Sequence, residues 1–243
     1  QRPMVAQQEM SPAVEQGYIA ERYAAALQDY QSKIRRQWPS AEVSSASRWV
    51  SYNEDFSIRR VVDFKSNLME ISLENPYKNG QTDIAAVRDA AQASVAAMLA
   101  QRLSDAQQQD PVEVALDEVF DERGAMRGDD STDPLVFSEL FNTDRPSTDD
   151  IAATAEHLMQ GARIRFQALS ASADTVPVFD KRRVTYVVPL PASRARLKAK
   201  QYFPIVKHHA EREELPPDGV LAMMHAESYL NPLARSHAPA FGL

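Results

Sequence analysis

The stretch Trp49-Val-Ser-Tyr52-Asn-Glu-Asp-Phe56-Ser-Ile-Arg-Arg60-Val-Val-Asp-Phe64-Lys-Ser-Asn-Leu68-Met-Glu-Ile-Ser-Leu73 decides the fold class. Three runs in it, 49–52, 57–64 and 68–73, are rich in β-branched and aromatic residues. Short polar breaks at 53–55 and 65–67 separate them. Such runs fit a pleated, half-buried surface, so the stretch reads as three antiparallel strands in a meander. In the third, Met69, Ile71 and Leu73 alternate with Glu70 and Ser72. A period of two puts the apolar side chains on one face, and helices are expected to cover that face.

Upstream, Tyr23, Leu27, Tyr30, Ile34 and Trp38 recur at steps of three and four, which predicts one face of a long helix, with residues 1–10 frayed before it. Downstream, Asn75-Pro76 and Asn79-Gly80 mark a loop. Asp83 then caps a helix carrying Ile84, Val87, Ala91, Val95 and Met98. Residues 110–150 hold 13 acidic and 3 basic side chains, with Gly124, Gly128, Asp129-Asp130 and Pro134, and read as an irregular acidic insertion with short strands at most. Thr148 or Asp149 is expected to cap a short helix ended by Gly161, and 184–190 to form one more strand, Pro189 marking an edge or its end. The fold class is therefore α+β: helices packed on an antiparallel sheet over residues 1–192.

From Ser193 the periodicity is helical again. Leu197, Tyr202, Phe203 and Val206 lie on one side of a basic helix that Pro204 kinks or restarts, and Pro216-Pro217 opens a second helix that Asn231-Pro232 ends. Residues 181–243 carry 10 basic and 5 acidic side chains, against a net charge of -7 for all 243 residues. This end could face an anionic polymer, form a solvated surface, or meet the acidic middle of the chain. An acidic total argues against nucleic acid as a partner. The chain has no cysteine, which removes disulfides, thiol nucleophiles and thiolate metal sites. The adjacent His208-His209, with His225 and His237, lack metal-ligand spacing; the acidic loop at 129–133 lacks the glycine and terminal glutamate of a calcium loop; and only 7 glycines occur. No metal and no cofactor are expected. No apolar run approaches the length of a membrane span, and any leader or anchor lies upstream of Gln1 or is absent.

One segment carries chemistry. In Leu221-Ala-Met-Met-His-Ala-Glu227-Ser228-Tyr-Leu-Asn231-Pro232, a single carboxylate stands in the last turn of an otherwise apolar helix. Met223 and Met224 precede Glu227 by four and three residues, so they share its face and would help remove water from it. Desolvation disfavours the charged carboxylate and so keeps an acid ready to deliver a proton. The alternative is an ordinary glutamate pointing to solvent at a helix end.

These residues, with Ala234, Ser236, Ala238 and Phe241-Gly242-Leu243, resemble the opening motif of the lysozyme-like lytic transglycosylase domain: Leu-Ala-x-x-x-x-Glu-Ser-x-x-Asn-Pro, then Ala-x-Ser and Gly-Leu-Met-Gln. The runs 49–73 and 183–188, leading into the basic helix, are similar to the N-terminal domain of the membrane-bound lytic murein transglycosylase C family. The resemblance implies two parts: an N-terminal α+β domain at 1–192, with its acidic insertion at about 110–150, and at 193–243 a linker helix with the first helices of an incomplete α-helical lysozyme-like domain.

It further implies an enzyme that cleaves the β-1,4 bond between N-acetylmuramic acid and N-acetylglucosamine in peptidoglycan without water, leaving 1,6-anhydro ends. Glu227 would be the catalytic acid and base. Ser228 would hydrogen-bond near the reacting sugar, unless its hydroxyl is spent on nearby backbone. The implied partners are peptidoglycan glycan strands, with envelope proteins besides. The implied location is the periplasm, associated with the outer membrane in the full-length protein. Because the chain stops at Gly242-Leu243, short of the Met-Gln and later Ala-Tyr-Asn of the pattern, these 243 residues are expected to carry the acid without a working site. A reading from another class remains open, a non-catalytic module that binds peptidoglycan or envelope proteins.

Overall fold

A computed structural model of the chain describes residues 12–74, 77–78, 81–122, 133–169 and 178–236. The expected fraying at 1–10, the turn residues Asn75-Pro76 and Asn79-Gly80, the acidic loop around Asp129-Asp130, and His237, Ala238 and Phe241-Gly242-Leu243 lie outside the described residues. In chain order the elements are α1 (Pro12–Arg35), β1 (Arg48–Tyr52), β2 (Ile58–Asp63), β3 (Leu68–Glu74), a small pair β4 (Tyr77–Lys78) and β5 (Gln81–Thr82), then α2 (Ile84–Leu99), α3 (Leu103–Gln108) and α4 (Pro111–Glu122). A 3-10 turn (Ser138–Leu140), α5 (Thr148–Gln160), β6 (Arg163–Leu169), β7 (Val178–Pro189), α6 (Arg194–Arg212) and α7 (Pro217–Ser228) follow. The structure is α+β, as the sequence implies.

The three-strand meander is present, with Val50 opposite Val61 and Val62 opposite Met69. β7 pairs antiparallel with β3 and β6 closes the far side, giving the order β1-β2-β3-β7-β6. β7 is therefore an interior strand, and Pro189 stands at its end, where a missing N–H interrupts no ladder. The sequence reading missed β6, whose alternation of Arg163, Arg165 with Ile164, Phe166 is masked by its charge. The apolar face of the sheet carries Trp49, Val62, Met69, Ile71, Val184, Tyr186 and Val188. Onto it pack Val87, Ala91, Val95 and Met98 of α2, and Leu158 and Met159 of α5. Each such side chain withdrawn from water stabilises the fold by about 1.5–3 kcal/mol. Asp83 caps α2 as expected, accepting from the Ala86 N–H at 3.1 Å. The cap of α5 is Ser147 rather than Thr148 or Asp149: its hydroxyl accepts from the Asp150 N–H while the Asp150 carboxylate accepts from the Ser147 N–H, a reciprocal capping box.

The irregular reading of 110–150 does not hold for 111–122, which are helical. Pro111 occupies the first helical position, where its lack of an N–H costs nothing, and the Asp110 carboxylate accepts from the Val112 N–H at 2.9 Å. Val112 and Leu116, four apart, then point at α1 and are buried. On the far side of the sheet Tyr30, Ile34 and Trp38 meet Val112, Tyr52 and Phe56. The guanidinium carbons of Arg59 and Arg183 lie 4.5 and 4.2 Å from the Trp38 ring centroid, and the indole N–H donates to the Phe56 carbonyl. Aromatic residues at the first helix's spacing thus serve packing.

The basic helix α6 runs on through Pro204 without a break. Its first turns enter the interior. Arg194 and Lys198 are buried, Arg196 and Lys200 exposed. The Glu139 carboxylate, from the acidic middle, lies 3.4 Å from Arg194 Nη1 and 3.1 Å from Lys198 Nζ, with side-chain exposures of 0%, 1% and 4%. Asn67, in the left-handed region at the turn between β2 and β3, accepts from Arg194 Nε at 2.8 Å and donates to the Leu190 and Pro191 carbonyls. One part of the basic run therefore meets the acidic middle, and another part is a solvated face.

Glu139→Ala strands two cations in the interior, so it is expected to cost about 3–5 kcal/mol in urea unfolding. Replacing all three by apolar residues of similar volume should cost far less. Asp133 is held below the usual carboxylate range by the Ser104 backbone N–H, with help from the Ser104 hydroxyl. A lowered folded pKa contributes stability that is in place above about pH 3.9 and is lost as pH falls through the folded value. The stability difference between parent and Asp133→Asn should accordingly be level above pH 4 and shrink below it in acid titrations followed by circular dichroism.

Candidate functional site

α7 starts at Pro217, whose fixed φ suits the first turn, with Asp218 near the positive end of the helix dipole. It packs along α6, and Ala195 and Ala199 face Leu221, Ala222 and Leu230 across a shallow groove. Ser228 closes the helix, and its hydroxyl donates to the Met224 carbonyl at 2.9 Å, the local backbone bond that the sequence left open as an alternative. Tyr229 follows in the left-handed region with φ 54° and ψ 31°, and its N–H donates to the His225 carbonyl at 2.8 Å. Leu230 is left-handed too, with φ 60°. Two successive non-glycine residues there reverse the chain sharply, at a cost of roughly 1–2 kcal/mol each.

Glu227 therefore sits in the last turn of α7, as the sequence places it, and is exposed. Met223 is 62% exposed and Met224 half-buried, so the methionines do not exclude water from the carboxylate. Adjacency on a helix face does not by itself bury a side chain. Burial also requires a second element over that face, and none of the described residues supplies one. The other carboxylate of α7, Asp218, stands nine residues earlier, about 14 Å away along the axis. That is wider than the 5–9.5 Å that paired-carboxylate glycosidases use.

Past Leu230 the chain returns to the sheet-and-helix body. Leu230 and Asn231 are buried, at 2% and 5% exposure. The Asn231 amide donates to the Ala46 carbonyl at 3.0 Å and the Ser45 carbonyl at 3.4 Å, and its own oxygen accepts from the Leu233 N–H at 2.9 Å. The Arg235 N–H donates to the Ser45 carbonyl at 3.2 Å. Arg235 Nη2 lies 2.6 Å from Asp110 and 3.0 Å from Glu113, and Nε donates to Glu113 at 3.2 Å. Burial weakens the Arg235 charge, but the carboxylates of Asp110 and Glu113 outweigh it and raise its pKa. The sequence reading overlooked Arg235, Asp110 and Glu113. Their signal is faint: a lone arginine in the motif's tail, and two acids, Asp110 and Glu113, three positions apart at a helix start far away in sequence.

Comparison with known proteins adds the remaining observation. A segment of 63 residues, 26% of this chain, is 41% identical to a protein of Actinobacillus pleuropneumoniae serotype 5b (strain L20) named membrane-bound lytic murein transglycosylase C. A segment of 61 residues is 38% identical to the protein of that name in Glaesserella parasuis serovar 5 (strain SH0165). The family resemblance is borne out over a quarter of the chain. The matched stretch spans 17% of each of these relatives. No family model matches the chain. Among the described residues no helix is long and apolar enough to cross a membrane.

Asn231→Asp tests the docking of this segment. It keeps the acceptor for Leu233 but turns a carboxylate oxygen toward two carbonyls in a buried place. We expect a loss of about 1–3 kcal/mol in denaturant unfolding at pH 7, easing in acid as the carboxyl regains a proton to donate.

Proposed function

We propose that this chain is part of a peptidoglycan lytic transglycosylase, and that Glu227 is its acid and base. The observation that carries the reading is the coincidence of the family likeness with a carboxylate at the motif's glutamate position, in the last turn of α7 and far along the axis from Asp218 in its first turn. A hydrolase of the ordinary kind needs a second carboxylate for water or for a covalent intermediate. An internal nucleophile needs none. Glu227 gives its proton to the β-1,4 glycosidic oxygen as the bond to muramyl C1 breaks. The resulting carboxylate takes the proton of the muramyl C6 hydroxyl, whose oxygen closes on C1. The products are a free N-acetylglucosamine hydroxyl and a 1,6-anhydro end, Glu227 is protonated again, and no water is consumed.

Ser228 is the proposed substrate-binding hydroxyl. Its bond to Met224 uses the proton and leaves its oxygen free to accept one from a sugar. The chain divides at about 192/193 into an α+β part and the start of a lysozyme-like part. The full protein works in the periplasm, associated with the outer membrane, on glycan strands. These 243 residues alone are inactive, because an exposed acid in open water gains nothing from its surroundings.

The test digests purified sacculi with the full-length gene product and with its Glu227→Gln variant, and reads the released muropeptides by mass spectrometry. The parent is expected to release 1,6-anhydro ends. The variant should lose about 10²–10⁴-fold in rate, the usual worth of a positioned acid-base group. Undiminished turnover by the variant, or reducing ends from the parent, rejects the assignment. Turnover by the 243-residue chain by itself rejects the claim that it is inactive.

A further inference from the structure

The segment after α7 is tied to the sheet-and-helix body by hydrogen bonds and ion pairs to residues far away in sequence. Arg235 is 8% exposed and reaches the first turn of α4, a helix whose start lies some 125 residues earlier in the chain. Asp110 divides its carboxylate between two duties, capping the Val112 N–H with one oxygen and meeting Arg235 with the other. Glu113 receives both Nε and Nη2. The backbone at Arg235 and the amide of Asn231 converge on Ser45 and Ala46, and that loop is itself held by Ser45 N–H to the Arg48 carbonyl and by Val50 N–H to the Ser44 hydroxyl. Only Tyr229 and Leu230 lie between Ser228 and Asn231, so whatever fixes 231–235 also constrains the direction in which the last turn of α7 points.

We propose that Arg235, through Asp110 and Glu113, is a positioning residue for Glu227, so that the sheet-and-helix body sets the geometry of the proton transfer. The proposal rests on the reading of Glu227 as the acid. The forked guanidinium holds two carboxylates at once, which an ammonium cannot reproduce, and the strained pair Tyr229-Leu230 transmits the constraint. Released from the clamp, that pair relaxes toward ordinary φ and swings the end of α7. A displacement on the scale of 1 Å at a reacting group costs about 10²-fold in rate.

The test uses the full-length gene product on sacculi. Arg235→Met is expected to lower kcat about 10²-fold with KM little changed, since the glycan still binds but meets a displaced acid. Arg235→Lys should recover part of that loss. Asp110→Asn with Glu113→Gln should reproduce the Arg235→Met loss from the other partner, and all three together should be no worse, as expected of one interacting unit. Glu113→Gln alone, the mildest change, covers the case in which Arg235→Met fails to fold. Hydrogen exchange is expected to rise over 229–235 while α2 and β3 stay protected. A folded Arg235→Met enzyme with parental kcat overturns the proposal, and so does an unchanged kcat in the carboxylate pair. If Arg235→Met is parental while Glu227→Gln is dead, positioning fails and the acid stands. If Glu227→Gln is active, the acid itself is wrong.

Discussion

The buried carboxylate of Glu139 is the interaction on which the arrangement of this chain depends. A charge with no exposed side-chain surface is costly unless it is paired, and two cations of α6 pair it. Burying Arg194 and Lys198 forces the first two turns of a polar helix against Phe64 and the 3-10 turn at Ser138–Leu140. Further along the helix the apolar residues divide, Val206 and Ala210 being buried while Phe203 and Ile205 remain exposed. The ion cluster thus seats the first turns of α6, and Val206 and Ala210 seat the rest. Lys198 Nζ also donates to the Val136 carbonyl, whereas Glu139 Oε2 and Arg194 Nη2 are buried without a hydrogen-bond partner among the described residues, so the ion pairing itself carries much of the compensation.

A second ionic anchor acts at the other end of the helical pair. With α6 fixed by Glu139 and the segment after α7 fixed by Asp110 and Glu113, α7 is held at both ends though none of its own residues is fully buried. That explains how a helix with such slight packing keeps a definite course. It also means that the two anchors draw on the acidic middle of the chain, which supplies Asp110, Glu113 and Glu139. The charge asymmetry between the middle and the carboxyl end is therefore partly a docking device.

Much of the fold was legible because it rests on local rules. The alternation of Met69, Ile71 and Leu73, the cap at Asp83 and the steps of three and four in α1 each required only neighbours in sequence. α4 was lost because its acidic residues and the glycines beyond it suggested irregularity, although Asp110-Pro111 followed by Val112 and Leu116 is a helix start. The burial of Arg194 and Lys198 was readable in principle: they stand four residues apart in register with Tyr202 and Val206, on the stripe a helix turns inward. At the site, the position of Glu227 followed from its motif, but its exposure did not. Sequence periodicity names the face a residue shares and says nothing of what lies over that face.

The turn at Tyr229-Leu230 connects these observations. Left-handed backbone at two bulky residues costs roughly 2–4 kcal/mol in all, and a strained conformation persists only where its surroundings over-determine it. Burial of Leu230 returns about 1.5–3 kcal/mol, and each satisfied hydrogen bond of Asn231 adds about 1 kcal/mol. The sums are close, so docking is what keeps the reversal in place. An unstrained linker would leave the end of α7 free to wander whatever lay downstream. A strained one, held shut by burial on one side, converts distant contacts of the body into a fixed direction for the last helical turn, where Glu227 stands.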